Sequence, residues 1–415
     1  MRKAAAILIA STLLTFTAEA QALSLSEAID IALRNNPSLL QTQKSVDAAV
    51  EEIRIAKGNK GFSVSLTGSA DASKSEGTSD SESTSARISG SVPIYSGGRL
   101  EAELKSANLS LDIAKFDYLQ AIDDLTYQVA VAYVDALENK ATNEVDVETR
   151  NNLADHEELI ANLYQAGSKA KIDLLRAQVE TSNANQDVSR SQAAHEISLT
   201  QLATLMSLDS ITNLEIEDLN TSTDLIDIET CITRASEQRN DLKSDELKIQ
   251  RAQEQITSAK SGWLPTLNAS AGTGFNARSN KWDPTSDATA GLSASWNIFD
   301  SKVTRAKVDE AKIEAERLRL AMQSDVEAVN KDVISAHKNL KAALVRLETT
   351  DRAVRLAEEE RFIATERYKA GEGIILDILD AEVALKTARK NNVSAKYDVI
   401  RYRFELAHAM GKTYQ

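Results

Sequence analysis

Two aspartates stand at matching places in the two halves of the chain, each six residues after a glycine. Asp173 follows Gly167 and Asp377 follows Gly371, at a constant offset of 204 residues. A carboxylate near the start of a helix accepts a backbone N–H or interacts favourably with the helix dipole. A glycine just past a helix can adopt the left-handed conformation that terminates it. The chemistry that this spacing predicts is capping at a helix–turn–helix hairpin tip, made twice.

The tip turns, 164–173 and 368–377, lie within a longer repeated motif. Residues 163–179 are LYQAGSKAKIDLLRAQV and residues 367–383 are RYKAGEGIILDILDAEV. The identical positions are Tyr164/Tyr368, Ala166/Ala370, Gly167/Gly371, Asp173/Asp377, Leu175/Leu379, Ala177/Ala381 and Val179/Val383.

Residue types that carry catalysis are scattered. The four histidines (His156, His195, His337 and His408) lack metal-ligand spacing, and we expect them on the surface or in packing. Cys231 is the only cysteine and has no recognisable partner. No phosphate-binding glycine loop occurs. We therefore expect no enzyme activity, no metal and no cofactor.

The start of the chain is typical of an exported protein. Arg2 and Lys3 precede an apolar run, and a cleavage site with Ala18 and Ala20 completes a signal peptide over 1–20. The formal net charge of −14 argues against a nucleic-acid partner. No later run of about eighteen apolar residues occurs, so we expect any membrane insertion to use strands.

Two long stretches lack glycine and proline, from Leu100 to Ala166 and from Asp300 to Ala370. Such stretches predict continuous helices that pack as coiled coils. A heptad seam supports this for the second stretch: Val326, Val329, Val333, Ala336, Leu340, Ala343 and Leu347.

Four segments alternate apolar and small polar residues, at about 62–71, 86–95, 265–275 and 288–299. This period of two, with aromatic residues at the ends, is typical of membrane β-barrel strands. A half-buried sheet of a soluble protein is the alternative. The polar segments between the strands, 73–85 and 276–287, are predicted as solvent loops.

The whole chain is a tandem repeat. Repeat 1 covers 21–206 and repeat 2 covers 231–415, each ordered helix, two strands, long helix, tip turn, helix. An acidic linker over 207–230 is predicted to pack outside the bundle, and its LEIEDL run is a candidate short strand. Four strands are too few to close a barrel, since about eight is the smallest natural number. Three copies would supply twelve.

The chain resembles the TolC family of outer-membrane efflux and type I secretion channels. The resemblance rests on the tandem repeat, the two tip motifs and the SVPIYSGGRL run at 91–100. It implies a mainly α fold with membrane β, namely a homotrimer with a twelve-stranded barrel in the Gram-negative outer membrane and an α-helical periplasmic tunnel.

The resemblance also implies roles for the tip residues. Asp377 and Asp380 match the acidic pair that rings the periplasmic constriction in relatives, and Tyr368 matches a tyrosine that holds the closed state. The resemblance implies a latch arginine at the position where this chain has Gly373. Lys169 occupies the equivalent place in the first repeat and would supply the cation. Asp173 is expected to contribute to the same tip contacts. Asp377 could instead only begin a helix. The first-repeat counterpart of Asp380 is Arg176, so helix capping is not a role that the two repeats share at this position.

Partners follow from the same resemblance. A periplasmic adaptor and an inner-membrane pump of the ABC or RND type would dock at the tip turns, which expose Tyr164, Ala166, Gly167, Ala370 and Gly371. Outer-membrane lipid would surround the strands. The alternative function is a secreted or periplasmic structural coiled-coil protein, either a filament or the adaptor component.

Overall fold

The computed structural model describes residues 23–73, 81–208, 215–219, 224–278 and 281–412. In these ranges the order of elements repeats once along the chain. The first copy contains α1 (Leu25–Asn35), α2 (Pro37–Gly58), β1 (Ser63–Ser73), β2 (Ser81–Tyr95), α3 (Arg99–Gln165) and α4 (Lys171–Leu205). The second contains α5 (Ile228–Gln238), α6 (Asn240–Lys260), β3 (Thr266–Arg278), β4 (Lys281–Ser295), α7 (Val303–Lys369) and α8 (Ile375–Ala409).

The long helices match the stretches that lack glycine and proline. Both α3 and α7 are 67 residues long, which corresponds to about 100 Å at about 1.5 Å per residue. The predicted seam of α7 is confirmed at its centre, where Val329, Val333, Ala336, Leu340 and Ala343 are buried. Helix formation here follows from an uninterrupted hydrogen-bonded backbone with one apolar stripe.

The helix expected at the start of each repeat is divided in two. α1 ends at Asn35. Asn36 caps α2, because its side-chain oxygen accepts the N–H groups of Ser38 and Leu39 at 3.0 and 3.3 Å. Pro37 occupies the first position of α2, where no intrahelical N–H is required. In the second repeat α5 and α6 are separated at Arg239, which lies in extended backbone.

The described residues form two compact units, and α3 and α7 each contribute to both. Among the described residues, the first unit draws on 23–32, 128–208, 215–219 and 346–401. Within it, part of the linker pairs with the beginning of the described chain, as a parallel bridge between Leu23 and Ile216. The hydroxyl of buried Tyr133 lies 2.7 Å from the Leu23 carbonyl and accepts the Glu217 N–H at 2.9 Å. The linker is therefore fastened to α3 at this point.

Among the described residues, the second unit draws on 33–73, 81–127, 224–278, 281–345 and 402–412. It contains one antiparallel sheet with strand order β1-β2-β3-β4. The central β2–β3 pair joins the two repeats, and β1 and β4 are the edges. One face is apolar and open: Leu66 is 73% exposed, Ile88 51% and Leu292 72%. The other face carries small polar side chains, including Ser65 and Ser89, whose hydroxyl oxygens lie 3.0 Å apart.

Two hairpin segments differ from the expectation of solvent loops. β2 already begins at Ser81 and β4 at Lys281, so the strands extend into the predicted loops 73–85 and 276–287. The reason is that serine continues the polar alternation; the hydroxyl oxygens of Ser69 and Ser85, for example, lie 2.8 Å apart across β1 and β2. Residues 74–80 and 279–280 lie outside the described residues.

No helix within the described ranges is both long and apolar enough to cross a membrane. The predicted signal peptide lies outside the described residues.

Candidate functional site

The two hairpin ends of the first unit have the same backbone geometry. After α3, the Ser168 N–H donates to the Leu163 carbonyl and the Gly167 N–H to the Tyr164 carbonyl. After α7, the N–H groups of Glu372 and Gly371 make the equivalent bonds. Gly167 and Gly371 have φ of +73° and +78°, the left-handed conformation that this helix ending requires. Both glycines are exposed, as are Ala166 and Ala370 beside them.

The two aspartates that follow the turns make different contacts. The Asp377 carboxylate accepts the N–H of Ile374 at 3.4 Å, which is one half of a capping box at the start of α8. At the start of α4, Ala170 has no side-chain cap, and Asp173 lies in the first turn. Asp377 is exposed and Asp173 is half-buried. A helix-starting role is therefore visible at Asp377, and its place in a constriction stays a prediction.

Tyr368 and Tyr164 occupy matching sequence positions but different environments. Tyr368 is 5% exposed, whereas Tyr164 is 38% exposed. Lys169 Nζ lies 4.4 Å from the centre of the Tyr368 ring, a cation–π distance that links the first tip turn to α7. The buried Tyr368 hydroxyl has no hydrogen-bond partner among the described residues. The structure thus brings Lys169 and Tyr368 together.

All four helices next to the turns share one apolar core. Its members are Leu153 and Ile160 of α3, Ala177 and Ala184 of α4, Ala364 and Tyr368 of α7, and Ile375, Ile378, Leu379 and Ala381 of α8. The two hairpins therefore pack against each other near their tips.

Gly373 lies against the end of α7. A Cβ atom added there would lie 3.1 Å from the Tyr368 amide nitrogen and 3.3 Å from the carbonyl carbon of Arg367. Any larger side chain would need the turn to shift. The shift needed is a few tenths of an ångström, and Lys169 occupies the equivalent place in the first turn.

Asp380 lies on an apolar groove of about 410 Å³ between α4 and α8, and Arg176 lies on the same groove. The groove is lined by Ile172, Leu175, Arg176, Val179, Glu180, Leu376, Leu379, Asp380 and Val383. Arg176 and Asp380 occupy matching positions in the two repeats, so the structure places opposite charges of the two halves around one apolar surface. Both side chains belong to exposed residues.

Glu382 is a buried charged residue near the hairpin ends that the sequence did not predict as part of the site. Glu382 on α8 is 2% exposed, and its Oε1 accepts a hydrogen bond from Arg361 Nη1 of α7 at 3.2 Å. His156 Nε2 of α3 lies 3.6 Å from the same oxygen. Burial raises the pKa of Glu382, but hydrogen bonds and charge interactions with His156 and Arg361 outweigh it and hold that pKa below its usual value.

The spacing of apolar residues along α8 could have indicated that Glu382 is buried. Ile375, Ile378 and Leu385 are buried, and Glu382 falls four residues after Ile378 and three before Leu385. A glutamate on a buried helical stripe requires a partner, which here comes from two other helices. His156, expected on the surface or in packing, is one of these partners.

Nothing at the hairpin ends indicates catalysis. In the described ranges, no three side chains of the His, Cys, Asp or Glu types are grouped closely enough to hold a metal ion. The arrangement instead offers exposed carboxylates, an apolar groove and two exposed turns, which are features of a gate or docking surface.

The chain matches the family model described as outer membrane efflux protein over residues 28–207 and 231–412. Outer membrane protein TolC of Vibrio cholerae is 22% identical over 421 residues, with 99% of this chain and 96% of the relative covered. TolC of Escherichia coli is 25% identical over 442 residues, with 99% and 87% covered. Protein CyaE of Bordetella pertussis is 23% identical over 381 residues, with 89% and 80% covered.

Solved structures of outer-membrane channels share the fold. The outer membrane protein VceC from Vibrio cholerae superposes with a TM-score of 0.81 at 19% identity, with 94% of this chain and 97% of that chain covered. The MtrE outer membrane channel of Neisseria gonorrhoeae gives a TM-score of 0.75 at 19% identity, with 94% and 89% covered.

Proposed function

The chain belongs to the outer membrane efflux protein family and is an outer-membrane efflux or secretion channel, and from this premise we propose that three copies build one conduit. The resemblance to the TolC family that the tip motifs indicated is confirmed. The interpretation as a filament or adaptor is not favoured.

The sheet is the observation that carries the proposal. Its edges, β1 and β4, have no partner strand among the described residues, and its apolar face is exposed. Unpaired backbone groups in lipid cost several kcal/mol each, by the order-of-magnitude estimate for membrane interiors. Three sheets joined edge to edge satisfy these groups in a twelve-stranded barrel, with the apolar face toward lipid and the polar face toward the lumen.

At the hairpin ends, Asp377 and Asp380 of three subunits would place six carboxylates around the conduit. Crowded carboxylates repel one another and attract cations, so they form a cation-sensitive constriction. The buried contact between Lys169 and Tyr368 supports a closed state in which the two hairpins of a subunit hold together. Arg176 lies on the same groove as Asp380.

The exposed turns at Gly167 and Gly371 and the apolar groove between α4 and α8 are suited to a helical partner. We assign this surface to a periplasmic adaptor that recruits an inner-membrane ABC or RND-type pump. The channel itself is then a passive route, and the pump selects the substrate.

The constriction can be tested in planar bilayers with the purified protein. Replacing Asp377→Asn together with Asp380→Asn keeps side-chain size and the capping acceptor but removes six charges per trimer. We expect the block by trivalent cations to weaken by about tenfold, since fixed negative charge concentrates cations. Glu372→Gln, a charge change in the same exposed turn, is the matched control. Wild-type currents and block in the double variant would remove both residues from the gate.

A further inference from the structure

Four residues form one row across the sheet, and two of them carry opposite charges. Thr67 pairs with Arg87, Arg87 with Gly274, and Gly274 with Asp287. The row runs from β1 to β4 on the polar face, near the middle of the strands. Arg87 and Asp287 are on strands that are not neighbours, because β3 lies between them.

The charged side chains nevertheless meet. Arg87 Nη2 lies 2.8 Å from Asp287 Oδ2, although two strand spacings separate the backbones by about 10 Å. The contact is possible because the residue between them is glycine. A Cβ atom on Gly274 would lie 3.0 Å from Asp287 Oδ1 and 3.1 Å from the guanidinium carbon of Arg87.

Stability gives little reason for this pair. The two side chains are 40% and 41% exposed, and exposed ion pairs contribute at most about 1 kcal/mol. From this row toward the helices, the polar face is uncharged and carries Ser, Thr, Asn, Gly and Pro. On the hairpin side, Asp71 lies on the same face, opposite Ser83. The row is therefore the charged level nearest the helices on this face.

We propose that Arg87 and Asp287 form a charge-balanced selectivity belt, which rests on the proposed closure of three sheets into one barrel. Each subunit contributes one guanidinium and one carboxylate to the same level of the lumen. The belt has no net charge, so it admits small cations and anions alike. Loss of one partner leaves three like charges facing the lumen, which raise the local concentration of the opposite ion.

The test is the reversal potential of reconstituted trimers in a potassium chloride gradient. For Arg87→Gln we expect the permeability ratio of potassium to chloride to rise at least about twofold, and for Asp287→Asn to fall by about the same factor. The double variant R87Q/D287N should return to the wild-type ratio, because the belt is again neutral.

Gly274→Ala tests the geometry without changing any charge. The new methyl group separates the pair but leaves both charges in the row, so the belt stays neutral and we expect the wild-type permeability ratio. A changed ratio would overturn net charge as the determinant of selectivity. Gly291→Ala is the matched control, since an added Cβ there meets nothing within 4 Å, and it should behave as wild type.

The outcomes separate two failures. Conducting trimers in which R87Q and D287N both keep the wild-type ratio would overturn the belt and leave the channel intact. A charge variant that fails to assemble would show that the pair is structural and also overturn the belt. A wild-type protein that forms no channel would overturn the proposed function, and the belt with it.

Discussion

Glu382 shows how one residue can join three helices. Its carboxylate is held by Arg361 of α7 and approached by His156 of α3, while Glu382 itself belongs to α8. A buried carboxylate without such partners would be neutral or would unfold its surroundings. The group therefore fastens α3 to the second hairpin below the tip turns.

Replacing Glu382 by Gln should destabilise the first unit. The change leaves Arg361 without its charge partner at a site where Glu382 is 2% exposed, and breaking a buried pair costs roughly 3 kcal/mol. We expect a lower midpoint of thermal unfolding, followed by circular dichroism at pH 7. Glu366→Gln removes the partner of Lys369 on an exposed face and should leave the midpoint unchanged.

The same variant has a defined pH dependence. Because the pKa of Glu382 is lowered in the folded chain, its stabilising effect is complete above the unfolded value of about 4.3. The effect is lost as pH falls through the lower folded pKa. The difference between wild type and Glu382→Gln should therefore shrink below pH 4.3. A difference that grows on acidification would contradict the assignment.

Single residues were the least predictable level of this protein. The turn glycines follow from spacing, because helix ends require a left-handed residue. The meeting of Lys169 with Tyr368, and of Arg87 with Asp287, depends on which strands and helices become neighbours. The separation of two residues along the sequence does not show which strands or helices become neighbours. Neither contact could therefore be derived from composition or from the periodicity of apolar residues.

At the scale of elements, the positions of glycine and proline and the periodicity of apolar residues predicted most of the fold. α3 begins directly after Gly98, and α3 and α7 end two residues before Gly167 and Gly371. The strand ends were less well predicted, because serine suits both loops and the polar side of a strand. The linker contact with Leu23 was also beyond prediction, since one isolated bridge leaves no periodic signal.

The turn glycines give a prediction at this scale. Gly167→Ala and Gly371→Ala each place a side chain at positive φ, which costs about 1 kcal/mol or more. We expect each to lower the thermal midpoint, and the double variant to lower it further. Gly58→Ala is the control, because Gly58 ends α2 without positive φ and its added Cβ has open space. Equal midpoints for G58A and G371A would argue against strain at the turn.

At the scale of the whole molecule, the sheet is the part of the chain that contacts the membrane. Its exposed apolar face has aromatic residues at the helix end, where the Trp296 Nε1–H donates to the Trp263 carbonyl at 3.0 Å. Trp296 is 60% exposed and Trp263 47% exposed. Tryptophan prefers the level of the lipid headgroups, so these residues mark one rim of the membrane band.

Lipid contact at that rim can be measured by fluorescence. In a Trp282→Phe background, we expect emission from Trp263 and Trp296 to be quenched by lipids brominated near the headgroup end of the acyl chain. Further replacement of Trp296 by Phe should remove the larger part of the quenched signal, because Trp296 is the more exposed. Equal emission in brominated and ordinary lipid would place the rim outside the membrane.

The equal lengths of corresponding helices have an evolutionary consequence. α3 and α7 both have 67 residues, and α4 and α8 both have 35. Loss of one heptad from each arm of a single hairpin would draw its end back by about 10 Å and separate Lys169 from Tyr368. Length changes in descendants of this gene must therefore arise in both halves together, so each repeat constrains the helix lengths of the other.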